Sequence, residues 1–531
     1  MARPLLKSMA TVSGLTMVSR VLGFARQMLI AGIIGASGNP VADAFWAAFR
    51  LPNMFRRLLA EGAFQAAFVP LFQRHSVKGD MDGAKAFAED ILAWMIVILT
   101  GLSAIIMIFA PVFVSILTTG FRDDPERFNL TILYTRIMFP YLACMSLVGI
   151  YGGMLGAMHK FAAASAAPLL LNIALITGVL AFADAPAEVT GLAAAWSVMI
   201  GGLLQLGALV LAATRSKLLL RLRLPRHSGA AKRMLMLGTP GFIGAAALQV
   251  NGIVGTNIAS REAGAVSWLM NADQLYQLPL AIIGIALGVV LMPAIGRSVK
   301  SGDETGAKRT LNRGVEVALF FALPATAALM TIPVFLCGAL FQDMAGDLTR
   351  AIGAGRSAFN DTDVAMVGAA LAVYGIGLPA FVLQKVFAAA FFAREDTKSP
   401  MTFALVAIAI NATISITLFP TMGFIAVPIG TVVAAWVEVT GLSWRLYARG
   451  HLRPSLTVLS RIVRMVLVAG GLGWLLRIAM AHQEMLAPMA FDQDWILLFE
   501  LVGAGVLLYF IATILTGGVS IAALKGKAAK A

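Results

Sequence analysis

Charged side chains are concentrated in two neighbouring apolar stretches near the N-terminus. The first stretch carries Arg20 and Arg26, and the second carries Asp43, Arg50, Arg56, Arg57 and Glu61. Guanidinium groups donate paired hydrogen bonds in a fixed fork, which suits phosphate and carboxylate ligands. Because five arginines face only two acids, uncompensated positive charge remains, and such charge is costly to bury. These residue types therefore indicate a binding site for an anion.

Helical spacing places the polar residues of the first stretch on one face. At 100° per residue, an arc of about 120° holds Thr16, Ser19, Arg20, Gly23 and Arg26.

In the second stretch, polar residues recur every seven positions, at Asp43, Arg50 and Arg57. Glu61 follows Arg57 by four residues, a spacing that suits an ion pair within one helix. Pro52 can disturb the helical phase. Asn53 and the helical turn after Pro52 are candidates to complete the anion site with Asp43 and Arg50.

The composition indicates that these charges belong to a membrane protein. Of the 531 residues, 59% are hydrophobic and 13% are charged, against about 45–50% and about 25% in soluble proteins. This excludes a soluble enzyme, a disordered chain and a disulfide scaffold, and it predicts an all-α polytopic membrane protein. A charged residue at the bilayer centre costs about 2.5–3.5 kcal/mol. The arginines of the two stretches must therefore face water, each other or a ligand.

Segments of about 20 apolar residues predict about fourteen transmembrane helices. These are 12–36, 41–73, 91–118, 132–158, 162–183, 188–213, 232–258, 264–295, 312–340, 363–392, 400–420, 424–447, 459–481 and 494–518. Most Lys and Arg residues lie in connections on the side of both termini, which predicts that both termini are cytoplasmic. This bias explains the net charge of +14 without nucleic acid. The spacing of Cys and His predicts neither a disulfide bridge nor a metal site.

An internal repeat suggests the architecture. Segments 51–85 and 278–308 share Leu-Pro, Ser-Val-Lys, Gly-Asp and Gly-Ala-Lys, and Pro111-Val-Phe is echoed by Pro333-Val-Phe. The offset covers six predicted helices, so the two halves should be parallel, as in alternating-access transporters. The predicted domains are a lobe at 1–213, a basic cytoplasmic linker at 214–231, a second lobe at 232–450, and two further helices with a basic tail at 451–531. On these grounds we expect a transporter or flippase for an anionic, phosphorylated substrate.

Four motifs closely resemble the MurJ (MviN) family of bacterial lipid II flippases. They are SRVLGFAR (19–26), ADAFWAAFRLPNMFRRLLAEGAF (42–64), SWLMNADQLYQLP (267–279) and FFAREDTKSP (391–400). The resemblance implies two six-helix lobes around a central cationic cavity, and a groove for the lipid tail at helices 13 and 14. It implies transport of lipid II, an undecaprenyl-pyrophosphate disaccharide-pentapeptide, from the cytoplasmic to the periplasmic leaflet of the inner membrane. No cofactor is implied, and membrane lipids and cell-wall synthesis or division proteins are the further expected partners.

The resemblance also assigns site residues. It places the substrate-binding arginines at Arg20, Arg26 and Arg56, whereas helical phase alone favours Arg57. The supporting polar residues that we expect are Ser19, Asp43, Arg50, Asn53, Arg57, Glu61, Ser267, Asp273 and Gln274. The family motif Ala-Asp-Arg reads Ala-Asp-Gln here, so one cavity arginine is absent, and Gln274 or Arg261 is left to replace it. The span 232–258 has no acid for the sodium site of some relatives, and energy coupling stays open.

Four other functions remain as alternatives. A cation-coupled multidrug exporter of the same fold would need cavity carboxylates, and an exporter of another polyprenyl-phosphate glycan would share the cationic cavity. A membrane-embedded enzyme would need a metal or nucleophile constellation, which the short connections do not provide. A non-transport scaffold for cell-wall enzymes would tolerate loss of the arginines.

Overall fold

The computed structural model describes residues 2–59, 63–77, 80–225, 236, 249–351, 353 and 357–519. The regular secondary structure in these ranges is entirely helical. The first ten helices are α1 (Ala2–Ile34), α2 (Pro40–Leu59), α3 (Ala63–Val77), α4 (Met81–Ile108), α5 (Ala110–Leu117), α6 (Pro125–Met138), α7 (Tyr141–Ala157), α8 (Ala162–Ala181), α9 (Ala187–Arg215) and α10 (249–259).

The later helices begin after a short turn. They are α11 (Ala265–Lys300), α12 (Glu304–Thr331), α13 (Pro333–Cys337), α14 (Ala345–Ala351), α15 (Asp361–Phe392), α16 (Lys398–Met422), α17 (Ala426–Ala448), α18 (Leu456–Ala481), α19 (Gln483–Leu486) and α20 (Asp494–Leu515). A π-helical turn, Gly338–Met344, joins α13 to α14.

The long helices confirm the predicted fold class. Within the described ranges, ten segments are long and apolar enough to cross a membrane, and one of them, Lys398–Ala448, contains both α16 and α17. Helices α18 and α20 expose large apolar side chains, such as Trp474 at 66% and Leu515 at 81%. An exposed apolar helix face of this kind is suited to contact with lipid. The chain is a multi-pass membrane protein.

Prolines divide some predicted spans into two helices. The predicted span 132–158 consists of α6 and α7, which are separated at Phe139 and Pro140. The predicted span 91–118 likewise consists of α4 and α5, and Pro111 lies in the first turn of α5. Proline lacks the backbone N–H that continues a helix, but it is tolerated in the first turn. The predicted span 41–73 corresponds to α2 and α3, and its central residues 60–62 lie outside the described residues.

The internal repeat has a common local structure. Asp80 accepts a hydrogen bond from Gly83 N at 2.8 Å and caps α4, and Asp303 accepts one from Gly306 N at 2.8 Å and caps α12. A Cβ atom at either glycine would lie 2.0 Å from the capping carboxylate. The repeated Gly-Asp and Gly-Ala-Lys motifs therefore encode two equivalent helix starts.

The chain divides into two compact units. Unit 1 is Met1–Ser267 with Ala345–Phe359, and unit 2 is Trp268–Met344 with Asn360–Ala531. Helix α10 belongs to unit 1, where Ile253 packs on a buried cluster that contains Leu51 and Phe139. The predicted linker, 214–231, lies partly outside the described residues, and the predicted domain boundaries stay predictions.

Two contacts within unit 1 join segments that are distant in the sequence. Glu89 of α4, only 4% exposed, accepts a hydrogen bond from Arg221 N at 3.0 Å and forms an ion pair with Arg223 at 2.8 Å. The segment that follows α9 is thereby attached to α4. Elsewhere, Ala358 N donates to the Gly32 carbonyl of α1 at 2.6 Å.

Candidate anion-binding site

An arginine of α1 is held by one amide of α8. Arg26 Nη1 donates to Asn172 Oδ1 at 3.1 Å, and Asn172 Nδ2 donates to the Ser19 carbonyl at 3.0 Å. Gly23 lies between them, where an added Cβ would be 3.6 Å from the same amide. Asn172 is only 5% exposed, so its buried amide links α1 to α8. Part of the predicted polar face of α1 therefore contacts α8.

The Arg26 guanidinium keeps hydrogen-bonding capacity beyond this contact. It has five N–H donors, and its buried Nε has no hydrogen-bond partner in the described part of the chain. The partner that it does have, Asn172, is neutral. The arrangement orients the positive charge without neutralising it.

Arg20 lies exposed on α1, six residues before Arg26. No hydrogen bond or ion pair to Arg20 is found among the described residues. The two predicted ligands of α1 thus differ, since Arg26 is half-buried and fixed while Arg20 is open to its surroundings.

On α2, Asn53 fixes the guanidinium of Arg56. Arg56 Nε and Nη2 donate to Asn53 Oδ1 at 3.1 and 2.9 Å. The helix continues through Pro52, so these two residues are one turn apart. Arg56 is half-buried, whereas Arg57 is exposed.

Arg50 and Gly252 are in contact within unit 1. A Cβ at Gly252 of α10 would lie 2.7 Å from Arg50 Nη2, so the guanidinium occupies the space that a side chain would need. Sequence reasoning did not connect these two positions, and Gly252 carries no signal beyond being a glycine in an apolar segment.

Asp43 is fully buried and joins α2 to the start of α11. It accepts hydrogen bonds from Gly264 N at 2.7 Å and Ser267 N at 2.9 Å. Arg127 Nε lies 3.7 Å from the same carboxylate, and Asp124 lies 3.4 Å from Arg127 Nη1. Sequence reasoning grouped Asp43 with Arg50 and missed Arg127, although a buried acid needs a cationic partner. In this structure the Asp43 and Ser267 side chains are enclosed by protein.

The two predicted residues of the span 8 motif belong to unit 2. Asp273 and Gln274 are half-buried on α11, and Asp273 accepts a hydrogen bond from Gln277 one turn later. Glu61 lies outside the described residues. The structure therefore brings together Arg26 with Ser19, Arg56 with Asn53, and Asp43 with Ser267.

The described residues also show what chemistry the site can support. They contain no group of three or more His, Cys, Asp or Glu side chains that could hold a metal ion. Cys144 and Cys337 are both buried free thiols. Arg26 and Arg56 are half-buried and held by asparagine amides, so they can bind an oxyanion.

Comparison with known proteins adds family evidence to this geometry. Residues 30–491 match the family model described as lipid II flippase MurJ. Two relatives are each named a probable lipid II flippase MurJ. The protein of Rhizobium meliloti is 39% identical and that of Rhizobium tropici 37%, each over 98% of this chain and 96% of the relative. A lipid II flippase MurJ of Burkholderia cenocepacia is 34% identical over 88% of this chain and 89% of its own.

Solved structures share the fold. A lipid II flippase MurJ in an inward closed conformation aligns with a TM-score of 0.76 at 21% identity, covering 95% of this chain and 98% of that one. An inward-facing multidrug resistance MATE transporter of the MOP superfamily aligns with a TM-score of 0.65 at 13% identity, covering 83% and 98%. The family match covers most of the chain and the curated relatives match it nearly end to end. The chain belongs to the lipid II flippase MurJ family.

Proposed function

We propose that this protein moves lipid II from the cytoplasmic to the periplasmic leaflet of the bacterial inner membrane. Arg20, Arg26 and Arg56 bind the pyrophosphate of the substrate. The observation that carries this assignment is the Arg26 guanidinium, which a neutral amide holds in place while a buried Nε keeps a free donor within the described part of the chain.

The choice of partner supports an anionic ligand. Several other arginines of the chain are paired with acids, as Arg461 is with Glu316 at 3.3 Å and Arg223 with Glu89 at 2.8 Å. Arg26 instead meets an amide oxygen, so its full charge stays available to a ligand. A hydrogen bond to a charged group contributes about 1.5–3 kcal/mol. Losing one therefore weakens binding about 10- to 150-fold.

The supporting residues have two kinds of role. Asn53 orients Arg56, and Ser19 anchors Asn172 through its backbone carbonyl. Asp43 stabilises the start of α11 through Gly264 and Ser267. Arg50 and Arg57 complete the polar surroundings of the substrate head group, and Glu61, Asp273 and Gln274 are assigned as supporting residues by their places in the motifs.

Transport follows an alternating-access cycle. The head group enters from the cytoplasm and binds the arginines, while the isoprenoid tail stays in lipid or in a groove at the last two predicted helices. A change of conformation then opens the site to the periplasm. Both termini are cytoplasmic in this scheme, and reaction of single cysteines at residue 3 and residue 530 with an impermeant thiol reagent in intact cells tests that orientation.

Alanine variants in a depletion strain test the function. Arg20→Ala and Arg26→Ala should abolish growth and stop lipid II from becoming accessible at the periplasmic face, with normal protein levels in the membrane. Arg136→Ala is the matched control, because the one hydrogen bond of this exposed arginine within the described part of the chain is to the Met107 carbonyl, at 3.0 Å. Full complementation by both variants, or continued translocation after depletion of the wild-type protein, would overturn the proposal.

A further inference from the structure

One acid of unit 2 lies in the middle of α17, a helix within a candidate membrane span. Glu438 follows the first residue of α17 by twelve positions and precedes the last by ten. The span Lys398–Ala448 that contains it is strongly apolar. Ionisable side chains at this depth are expensive, and they mark functional sites by default.

The acid has a neutral partner. Gln384 Nε2 of α15 donates to Glu438 Oε2 at 3.0 Å, and both side chains are half-buried. No Lys, Arg or His side chain of the described residues forms an ion pair with Glu438. Glu316 on α12 is the counterexample in the same unit, because Arg461 reaches both of its carboxylate oxygens, at 3.3 and 3.4 Å.

The cation next to Gln384 in the sequence lies against another helix. Lys385 is adjacent to Gln384 on α15, but its ammonium lies against Gly284 of α11, 2.8 Å from the position of an added Cβ. The helices that pack most extensively against α17 are α15 and α16. Their other ionisable groups and those of α17 itself are Asp361, Asp363, Tyr374, Lys398, Arg445 and Tyr447.

All of these groups are remote from the carboxylate along the helices. Arg445 is seven residues from Glu438, about 10 Å along the axis at 1.5 Å per residue. Lys398 is the first residue of α16, and the two aspartates begin α15. Tyr374 is ten residues from Gln384, and its ring packs against that of Tyr276 in a tilted arrangement with the ring centres 4.6 Å apart.

We propose that Glu438 and Gln384 form a proton-binding site in unit 2, at which Glu438 takes up one proton from water and releases it during the transport cycle. The glutamine amide can serve both states. Its N–H donates to the carboxylate, and its carbonyl oxygen accepts the O–H of the carboxylic acid once the amide has rotated. The coupling of this proton to lipid II movement rests on the proposed function, but the site itself does not.

A proton fits this site better than a metal ion. Hard cations take several oxygen ligands, whereas the contacts of Glu438 in the described part of the chain supply one amide. Protonation needs only the carboxylate and its partner.

Infrared difference spectra of the purified full-length protein between acid and alkaline pH test the site directly. The wild type should show a protonated-carboxyl band that is lost in Glu438→Gln and retained in Glu316→Gln, the control acid held by Arg461. Gln384→Leu should move the midpoint of the band to higher pH, because the carboxylate loses its donor. A band that persists in Glu438→Gln, or a midpoint unmoved in Gln384→Leu, would overturn the proposal.

Transport in proteoliposomes tests the coupling. The rate of lipid II movement should respond to a pH gradient by up to about tenfold per pH unit, as occupancy of a single proton site allows. Glu438→Gln should be insensitive to the gradient, and Glu316→Gln should respond as the wild type does. If sodium stimulates transport at constant pH and this stimulation requires Glu438, the bound ion is sodium and the proton assignment is refuted. A titrating band without lipid II movement by the wild type would refute the proposed function and leave the proton site standing.

Discussion

Replacing Asn172 with aspartate puts a carboxylate where Arg26 now meets a neutral amide oxygen. Aspartate has nearly the shape of asparagine, so the acceptor for Arg26 Nη1 at 3.1 Å is kept. Two things change. Arg26 gains an internal anion that competes with the pyrophosphate, and the hydrogen bond that Asn172 Nδ2 donates to the Ser19 carbonyl is lost. The substitution therefore separates the orientation of the arginine from the availability of its charge.

The distance sets the size of this effect. At 3.1 Å and an effective dielectric constant of about 20, two unit charges attract by about 5 kcal/mol. Desolvation of the new carboxylate takes back a large share of this energy. A net gain of about 1.5–3 kcal/mol, typical of a hydrogen bond between charged groups, remains. Lipid II binding should then weaken about 10- to 150-fold.

Two measurements distinguish this prediction from simple damage. The concentration of lipid II that half-saturates transport in proteoliposomes should rise for Asn172→Asp. The thermal unfolding temperature should stay close to that of the wild type, because the pair between Arg26 and the new carboxylate offsets the hydrogen bond lost to the Ser19 carbonyl. Asn172→Leu should also raise the half-saturating concentration, but it should lower the unfolding temperature, because the buried guanidinium loses its partner.

Asn257→Asp is the matched control. Asn257 accepts a hydrogen bond from Thr119 Oγ1 at 3.1 Å and donates to the Ile116 carbonyl at 2.7 Å, so it repeats the bonding pattern without an arginine. Wild-type transport by Asn172→Asp, or an equal loss in Asn257→Asp, would refute the reasoning that Arg26 acts through an uncompensated charge.

Two further predictions concern stability. Asp43→Ala removes the acceptor of two backbone N–H groups and the partner of Arg127, so the free energy of unfolding should fall by about 3–5 kcal/mol. Asp124→Asn keeps the cap of α6 and should change the free energy of unfolding by less than about 1 kcal/mol; equal changes would contradict this. Hydrogen bonds from Ser399 hold the pKa of Asp396 well below its usual 3.8, and burial with the nearby Arg394 lowers the pKa of His451 below 6.5. Because the folded state disfavours the protonated form of both groups, thermal stability should fall as the pH drops below 6.5 and again below 3.8; an unchanged first step in His451→Gln, or second step in Asp396→Asn, would contradict the assignment.

The long helices could be predicted from hydropathy because a membrane span leaves a strong signal of length and composition. The breaks at Phe109 and Phe139 could not be located, because proline is compatible with a kink, a helix start or an uninterrupted helix such as α2. The amide partners were also missed. Asn172 is one polar residue in an apolar span, and only the packing of α8 on α1 shows what it binds.

The charged residues show the same limit. Arg26 and Ser19 were grouped correctly by helical spacing, which is a local property. The contact between Asp43 and Ser267 joins positions 224 apart, and no periodicity links them. The role of Glu438 could not be predicted, because a single acid within an apolar span belongs to no motif. Its partner, Gln384, lies on another helix.

The long-range bonds of Asp43 have a consequence for biosynthesis. Its two backbone partners follow 221 and 224 residues later in the chain, which at 5–20 residues per second is a delay of about 10–45 s. During that interval Arg127 is the earlier of its partners to emerge. Ala358, whose N–H meets α1 at Gly32, emerges later still. Unit 1 is thus completed only after residues 268–344 of unit 2 have been synthesised, so its folding cannot finish before translation of unit 2 has begun.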